Sequence, residues 1–319
     1  MRSMFEGFAR VWTPVAQARR VGRRPVRIVV AGEAIVLFRG EGGRIAALLD
    51  RCPHRGAALS LGAVGRDGCL QCPFHGWRFA ADGANQRVPL NPDAKLDQLA
   101  ATALPVRQIG DLVWLYTAPG ATAPVEPQAP DGLWAEGLSR AYVERDWRCH
   151  WTRAMENMLD SPHLPFVHRR TIGRTLRQRM TPASRMDIAW EDTPFGGRAR
   201  ATLDGAGNAA TLEFWRPNVM ALHIPIPGRH LRIHALVLPT EAGRTRLTVV
   251  GSRDFARGRL LDPWFARLNA VIADEDKAVV ESSGDGEIPP PGEERSVATD
   301  RATLQFRRYY HADVRGTAA

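Results

Sequence analysis

The sequence predicts an α+β chain of two domains: an all-β N-terminal domain, then a domain with an antiparallel sheet and flanking helices. Three observations predict it. Short β-rich runs punctuated by glycine fill the region from about residue 8 to 118. A stretch rich in Pro, Ala and Gly follows, at 118–132 (APGATAPVEPQAPDG). Beyond it, two helical segments bracket a long run of alternating apolar and β-branched residues. These give domain limits of 1–120 and 133–319, joined by a linker at 121–132.

The elements follow in order. Arg27–Val30, Ala34–Phe38, Ile45–Leu49 and Val113–Tyr116 read as strands, with Gly32, Gly40, Gly42 and Gly43 marking turns between them. Trp147–Asp160 reads as a helix, which Pro162 and Pro165 break or redirect. From about Met186 to Gly251, apolar segments alternate with turn signals such as DGAGN at 204–208 and EAGRT at 241–245, the pattern of an antiparallel sheet. Pro263–Ser283 reads as a second helix. The tail carries EIPPPGEE and is expected to be loop, with no core element.

With 319 residues, of which 44% are hydrophobic, the chain can bury two cores. No apolar run approaches the roughly 18 residues of a membrane span. The N-terminus MRSMFEGFARVW makes a poor signal peptide, so a cytoplasmic protein is expected. The net charge is +9, with arginines clustered at Arg19, Arg20, Arg23 and Arg24. Without an aromatic-interleaved basic stripe or a helix-turn-helix pattern, this charge reads as a solvated face, or as one that steers an acidic electron donor, rather than a nucleic-acid site.

Two short motifs carry the chemistry. CPH and CPFH place Cys52-x-His54 and Cys72-x-x-His75 on loops inside the β region. Two thiolates with two imidazoles at this spacing suit a Rieske [2Fe–2S] cluster, in which two cysteines bind one iron and two histidines the other. Pro53, Pro73, Gly56 and Gly76 would shape the two loops, and Trp77 and Phe79 would pack beneath and shield the cluster. The other cysteines are Cys69 and Cys149. Cys69 makes a C-x-x-C with Cys72, so zinc is the competing reading; a buried small hydrophobe is the plainer one. With two of the four cysteines taken by the cluster, no disulfide framework is expected.

A second constellation lies at 151–168. Asn157, Asp160 and His163 are three apart and share one side of a helix or its continuation, and His168 follows past Pro165. Two histidines near a carboxylate suggest mononuclear non-haem iron. The late helix could supply a third ligand. With Phe265, Leu268, Ile272 and Val279 as its apolar stripe, Glu275 and Asp276 flank the stripe and Asp274 points away, so periodicity leaves Glu275 and Asp276 both open.

C-x-H…C-x-x-H followed by N-x-x-D-x-x-H-x-x-x-x-H and a late E-D-K resembles the α (oxygenase) subunit of Rieske non-haem iron oxygenases. Within them the chain is similar to the homotrimeric branch of dicamba and vanillate O-demethylases and pheophorbide a oxygenase. The resemblance covers nearly the whole chain. It implies a Rieske domain followed by a helix-grip catalytic domain. It also implies Cys52, His54, Cys72 and His75 on the cluster, and His163, His168 and Asp276 on Fe(II). Asp160 would match the aspartate that hydrogen-bonds a cluster histidine of the neighbouring subunit in a head-to-tail trimer, with Asn157 beside it. Electrons would come from NAD(P)H through a separate reductase or ferredoxin, since the chain lacks a G-x-G-x-x-G after a strand.

The expected activity is O2-dependent hydroxylation or oxidative demethylation of an aromatic, polycyclic or heterocyclic small molecule. Alternatives are cis-dihydroxylation, or a Rieske electron-transfer protein with no oxygenase activity. The segment Leu212–Ile226 is the expected pocket, aromatic-lined, with Phe214, Asn218, Met220 and His223 facing a flat apolar substrate.

Overall fold

The computed structural model describes residues 4–120, 125–205, 210–258 and 260–315. Residues 121–124 of the expected 121–132 linker and 206–208 of the 204–208 turn therefore lie outside the described residues. The chain forms two compact units, Met1–Pro127 and Gln128–Thr317. No helix among the described residues is long and apolar enough to cross a membrane.

The first unit is built from three small antiparallel sheets. Trp12–Gln17, Leu112–Tyr116 and Val106–Ile109 form one, and Val26–Val30, Glu33–Arg39, Ile45–Leu49 and Ala103–Leu104 the second. A two-residue turn joins Val30 to Glu33, with Ala31 at φ 46° and Gly32 at φ 84°. Positive φ at both positions matches the right-handed twist of the flanking strands, and glycine supplies one of them without steric cost. The third sheet is made of the short strands Ala63–Val64, Leu70–Gln71, Arg78–Phe79 and Asn85–Arg87. One core joins it to the second sheet: Val36, Phe38, Leu48, Leu59, Leu70, Trp77 and Phe79 pack with Cys52 and Cys72. Both cluster motifs thus sit on turns anchored to a rigid β core.

The second unit is a seven-stranded antiparallel sheet. Its order is Ser139–Trp147, Thr245–Arg253, Leu231–Pro239, Val219–His223, Ala210–Trp215, Gly196–Leu203, Met186–Thr193. The first of these strands corrects the sequence reading at Trp147, which ends a strand rather than starting a helix. Helix α1 begins at Trp151 and runs to Leu159, because His150 is extended and its ring accepts from the Thr152 N–H, capping the helix there. Asp160 closes α1 in an extended conformation. Two short helices follow, α2 (Leu164–Val167) and α3 (Arg174–Arg179).

Helix α4 (Asp262–Ser282) lies along the strands Ser139–Trp147 and Thr245–Arg253. Its buried face is Asn269, Ile272, Ala273, Asp276 and Val280, and Leu268 and Val279 of the expected stripe are exposed. Hydropathy mis-set the helix because two of the buried positions are polar. The tail is a further correction. It forms α5 (Arg301–Tyr309), whose Ala302 and Phe306, with Tyr310 beyond, fall four apart and are buried. Phe306 packs edge-on against Trp151 and Phe214, so this segment is core rather than loop.

Candidate metal centres

The two cluster loops have the same backbone wiring. In the first, the Cys52 N–H donates to Ala57 O at 2.8 Å and the Gly56 N–H returns to Cys52 O at 2.9 Å. In the second, Cys72 N–H donates to Trp77 O at 2.8 Å and Gly76 N–H to Cys72 O at 3.1 Å. Gly56 and Gly76 both take left-handed φ, 71° and 70°, which a side chain would strain. Asp50 fixes the base of the first loop. Its buried carboxylate accepts from the Ser60 N–H and hydroxyl, each at 2.7 Å, and from Arg27 at 3.0 Å.

These turns bury the Cys52 and Cys72 thiols side by side and expose the imidazoles. His54 and His75 have ring centroids 4.6 Å apart, and Trp77 stacks on His54 at 4.6 Å, almost parallel. Burial pushes the Cys52 thiol up to about 11; the neighbouring Cys72 adds to this, and the His54 and Arg55 N–H groups oppose it. A buried thiolate pair is costly unless positive charge compensates it. Two buried sulfurs and two exposed imidazoles are the donor set of a Rieske cluster, so the residues fit that group. Cys69 does not join them; it packs toward Asp67 and Arg78.

In the second unit, α1, α2 and α4 bring His163, His168 and Asp276 together, with one ligand atom from each within 4.8 Å of the others. His168 Nε2 lies 3.1 Å and His163 Nε2 3.5 Å from Asp276 Oδ1. On its other side, His168 Nδ1 is 2.8 Å from Glu275 Oε2, which also accepts from the Thr171 hydroxyl at 2.6 Å. A carboxylate can only accept, so Nδ1 carries the proton, and in the neutral form that binds a metal Nε2 presents its lone pair. That lone pair faces a carboxylate oxygen, and Asp276 Oδ1 is buried with no hydrogen-bond partner. Two acceptors at this distance repel unless a cation or a proton lies between them.

Burial lowers the His168 pKa, but Asp276 and Glu275 outweigh it, and the net shift is upward. The donor set is the two-His, one-carboxylate face of non-haem Fe(II), and the residues fit that ion. Asp274 faces away, in an ion pair with Arg145 at 2.7 Å. Asp160 Oδ2 lies 3.7 Å from His163 Nδ1 and is partly exposed.

The triad lines a cavity of about 330 Å³. Its wall is one sheet face, read in register across neighbouring strands: Ala201 and Leu203, Ala210 and Leu212, Met220 and Leu222, Ile233 and Ala235, Leu247 and Val249. Asn157, Asp160, Leu164, Leu176 and Ile272 close it from the helices.

Of the expected pocket residues, Met220 lines this cavity. Phe214 sits further along the same face, under Phe306 and Tyr309. Asn218 is fully buried and donates to Val237 O at 2.8 Å. His223 is on the opposite face, 3.4 Å from Glu213. The lining is also aliphatic rather than aromatic. The expectation treated 212–226 as one strand, but residues 216–218 are a turn, so Phe214 and Met220 face each other across a hairpin. Sequence reasoning missed Thr171, which no periodicity marks, and held Glu275 open only as an alternative iron ligand, not as the residue that orients His168.

A β unit offering sulfur and imidazole to a two-iron cluster, and an α+β unit offering a facial triad over an apolar cavity, define a chain of the iron-oxygenase class. Residues 11–103 match the Rieske [2Fe-2S] domain and residues 147–315 the vanillate O-demethylase oxygenase C-terminal domain. The chain belongs to the family of Rieske oxygenase α subunits that carry this C-terminal domain. It is 34% identical over 289 residues to the chloroplastic chlorophyllide a oxygenase of Chlamydomonas reinhardtii, covering 84% of this chain and 42% of that protein. It is 31% identical over 230 residues to the phthalate 4,5-dioxygenase oxygenase subunit of Pseudomonas putida, covering 66% of this chain and 51% of that one.

The chain spans about half the length of the curated relatives it matches. The fold is shared with NdmB of Pseudomonas putida, at a TM-score of 0.81 and 24% identity over 97% of this chain and 93% of that one. It is also shared with dicamba monooxygenase bound to dicamba, at a TM-score of 0.74 and 20% identity over 95% and 96% of the respective chains.

Proposed function

We propose that this chain is the terminal oxygenase of a multicomponent system that hydroxylates or oxidatively demethylates a ring-containing small molecule. It would use O2 and electrons from NAD(P)H, delivered by a separate reductase or ferredoxin. Residues 1–120 take in electrons and residues 133–319 carry the reaction. The observation that carries the reading is the triad opening directly onto a 330 Å³ apolar cavity. A plain Rieske electron carrier has no use for either.

When bound, the cluster supplies single electrons and the ferrous ion activates O2 beside the substrate. His163, His168 and Asp276 hold the ion, and Glu275 fixes the tautomer and orientation of His168. The sheet wall holds the apolar body of the substrate and excludes water. Asp160, partly exposed beside His163, reaches toward a cluster histidine of a neighbouring copy in a head-to-tail trimer. Exposed apolar side chains support that assembly: Phe74 next to His75 on the cluster loop, and Phe166, Trp264 and Val271 on the helices around the triad. The names of relatives support the substrate class, among them a 5,5'-dehydrodivanillate O-demethylase oxygenase subunit from Sphingobium.

Relatives named as dioxygenases favour cis-dihydroxylation as the second reading. The test is turnover with a reductase, NADH, O2 and a panel of methoxylated aromatic compounds. Formaldehyde formed in step with O2 consumption is expected; a cis-diol selects the second reading. Protein loaded with both metals that accepts electrons but consumes no O2 with any compound would sink the oxygenase reading.

A further inference from the structure

Among the described residues that line the cavity, Arg179 is the one arginine or lysine, and the other charged side chains there are the triad and Asp160. It projects from the face of α3 that also supplies Thr175 and Leu176 to the lining. Its side chain is exposed, which places it at the mouth rather than in the floor. It makes no ion pair within 4 Å and no hydrogen bond with the described residues. Asp204 is close enough to feel its charge, but that carboxylate is already held by the Arg185 N–H at 2.7 Å and the Ser184 hydroxyl at 2.8 Å.

The surrounding segment is strongly one-signed. Arg169, Arg170, Arg174, Arg177 and Arg179 fall within eleven residues that contain no Asp or Glu. All five are exposed. Arg177 is partly engaged, stacked over Phe166 at 5.7 Å. An unpaired guanidinium at the rim of an aliphatic cavity, inside a field of one sign, draws in and orients an anion. Its planar fork matches a carboxylate with two parallel hydrogen bonds.

We propose that Arg179 is a specificity-determining residue, and that the substrate is a small apolar carboxylate of one or two rings. The carboxylate pairs with Arg179 at the mouth while the apolar body lies along the sheet wall. A pocket of this volume is at the small end of ligand sites. An acidic protein partner would also suit the arginine run, but it would have no need of a guanidinium shared with the cavity lining. The inference rests on the oxygenase reading only in taking this cavity as the substrate site.

The test is binding, measured calorimetrically in the fully assembled, metal-loaded protein without reductase, so it does not depend on turnover. The probes are 4-methoxybenzoate and biphenyl-4-carboxylate, each beside its neutral amide. Wild type is expected to bind at least one acid about tenfold more tightly than its amide, 1.4 kcal/mol. Arg179→Gln is expected to abolish that preference while leaving the amide unchanged, and Arg179→Lys to retain most of it. Arg174→Gln, five residues earlier on the same helix and outside the lining, should preserve the preference. Equal binding of acid and amide, no binding of either acid, or equal loss for acid and amide in Arg179→Gln would each overturn the proposal. Preference intact in Arg179→Gln but lost in Arg174→Gln would assign the effect to the arginine run. A carboxylate preference that depends on Arg179 in a protein that never consumes O2 would leave this inference standing and remove the oxygenase reading.

Discussion

Glu275 and Asp276 are consecutive on α4, yet their carboxylates address opposite nitrogens of one imidazole. Glu275 Oε2 takes the Nδ1 proton of His168 at 2.8 Å, and Asp276 Oδ1 stands 3.1 Å from its Nε2. The 100° step between helix neighbours lets one residue turn fully inward while the other stays at the edge, within reach of Thr171 and the back of the ring. One side chain supplies a ligand atom and the next orients a ligand.

Glu275→Gln tests that division of labour. The amide can donate as well as accept, so it no longer imposes the Nδ1 proton on His168. Iron affinity is expected to fall about 10–100-fold, the usual effect of removing a hydrogen-bond partner of a metal-bound histidine. Titration of metal-free protein with Fe(II) measures this. Thr171→Val, which leaves the Glu275–His168 bond in place, should have a smaller effect. An unchanged Fe(II) affinity in Glu275→Gln would refute the orienting role.

The two centres lie in separate compact units, so each should be lost alone. Cys72→Ser is expected to remove acid-labile sulfide and the visible absorption while the second unit still takes up one Fe(II). Asp276→Asn is expected to keep both sulfides and the colour while losing the mononuclear iron. Iron and sulfide analysis reads both. Loss of cluster in Asp276→Asn would contradict the separation.

Asp160→Asn should spare both metals and slow turnover at least about tenfold, because a neutral amide oxygen is a weaker acceptor than a carboxylate for the imidazole N–H of the neighbouring copy's cluster histidine. Full turnover in a variant holding both metals would show that Asp160 does not couple the centres.

What the sequence disclosed was local. The cluster loops were legible because the four ligands and the two glycines that turn the chain all lie within 52–76, and no tertiary contact is needed to recognise their spacing. His163 and His168 were legible for the same reason. The cavity was not, since its wall takes residues from strands between Ala201 and Val249, and register across a sheet cannot be read from any one of them. Helix α5 was hidden by the proline-rich segment before it and by its four arginine and glutamine side chains, although Ala302, Phe306 and Tyr310 keep helical spacing. Helix periodicity left Glu275 and Asp276 both open and only the family resemblance pointed to Asp276; the geometric reason for it, the position of His168, lies more than a hundred residues earlier.

Gly173 makes a stability prediction that also touches the iron site. It joins α2 to α3, and its N–H donates to His168 O at 3.0 Å. A Cβ there would sit 1.9 Å from Leu164 O and 3.0 Å from His168 O, so alanine can enter only if α2 moves. Such overpacking costs about 1–3 kcal/mol. Gly173→Ala is expected to lower Tm by about 3–8 °C and to weaken Fe(II) binding, because Leu164 and His168 belong to the same turn. Gly258→Ala, with nothing within 4 Å of its Cβ, is the control and should change neither.

Glu213 sets a prediction for acid. It is buried on the sheet face away from the cavity, 3.0 Å from Arg198 and from the Trp215 indole N–H, and 3.4 Å from His223. Burial would raise its pKa, but His223, Trp215 and Arg198 together hold it at about 2. A carboxylate depressed below its unfolded value stabilises the fold above that unfolded value, near 4.3, and loses the contribution as pH falls toward 2. The full contribution is about 2–3 kcal/mol. Glu213→Gln should therefore be clearly less stable than wild type at pH 7, and the gap should shrink as pH drops from 5 to 3. Urea midpoints across that range measure it, and a gap that stays constant with pH would show that the Glu213 charge contributes nothing.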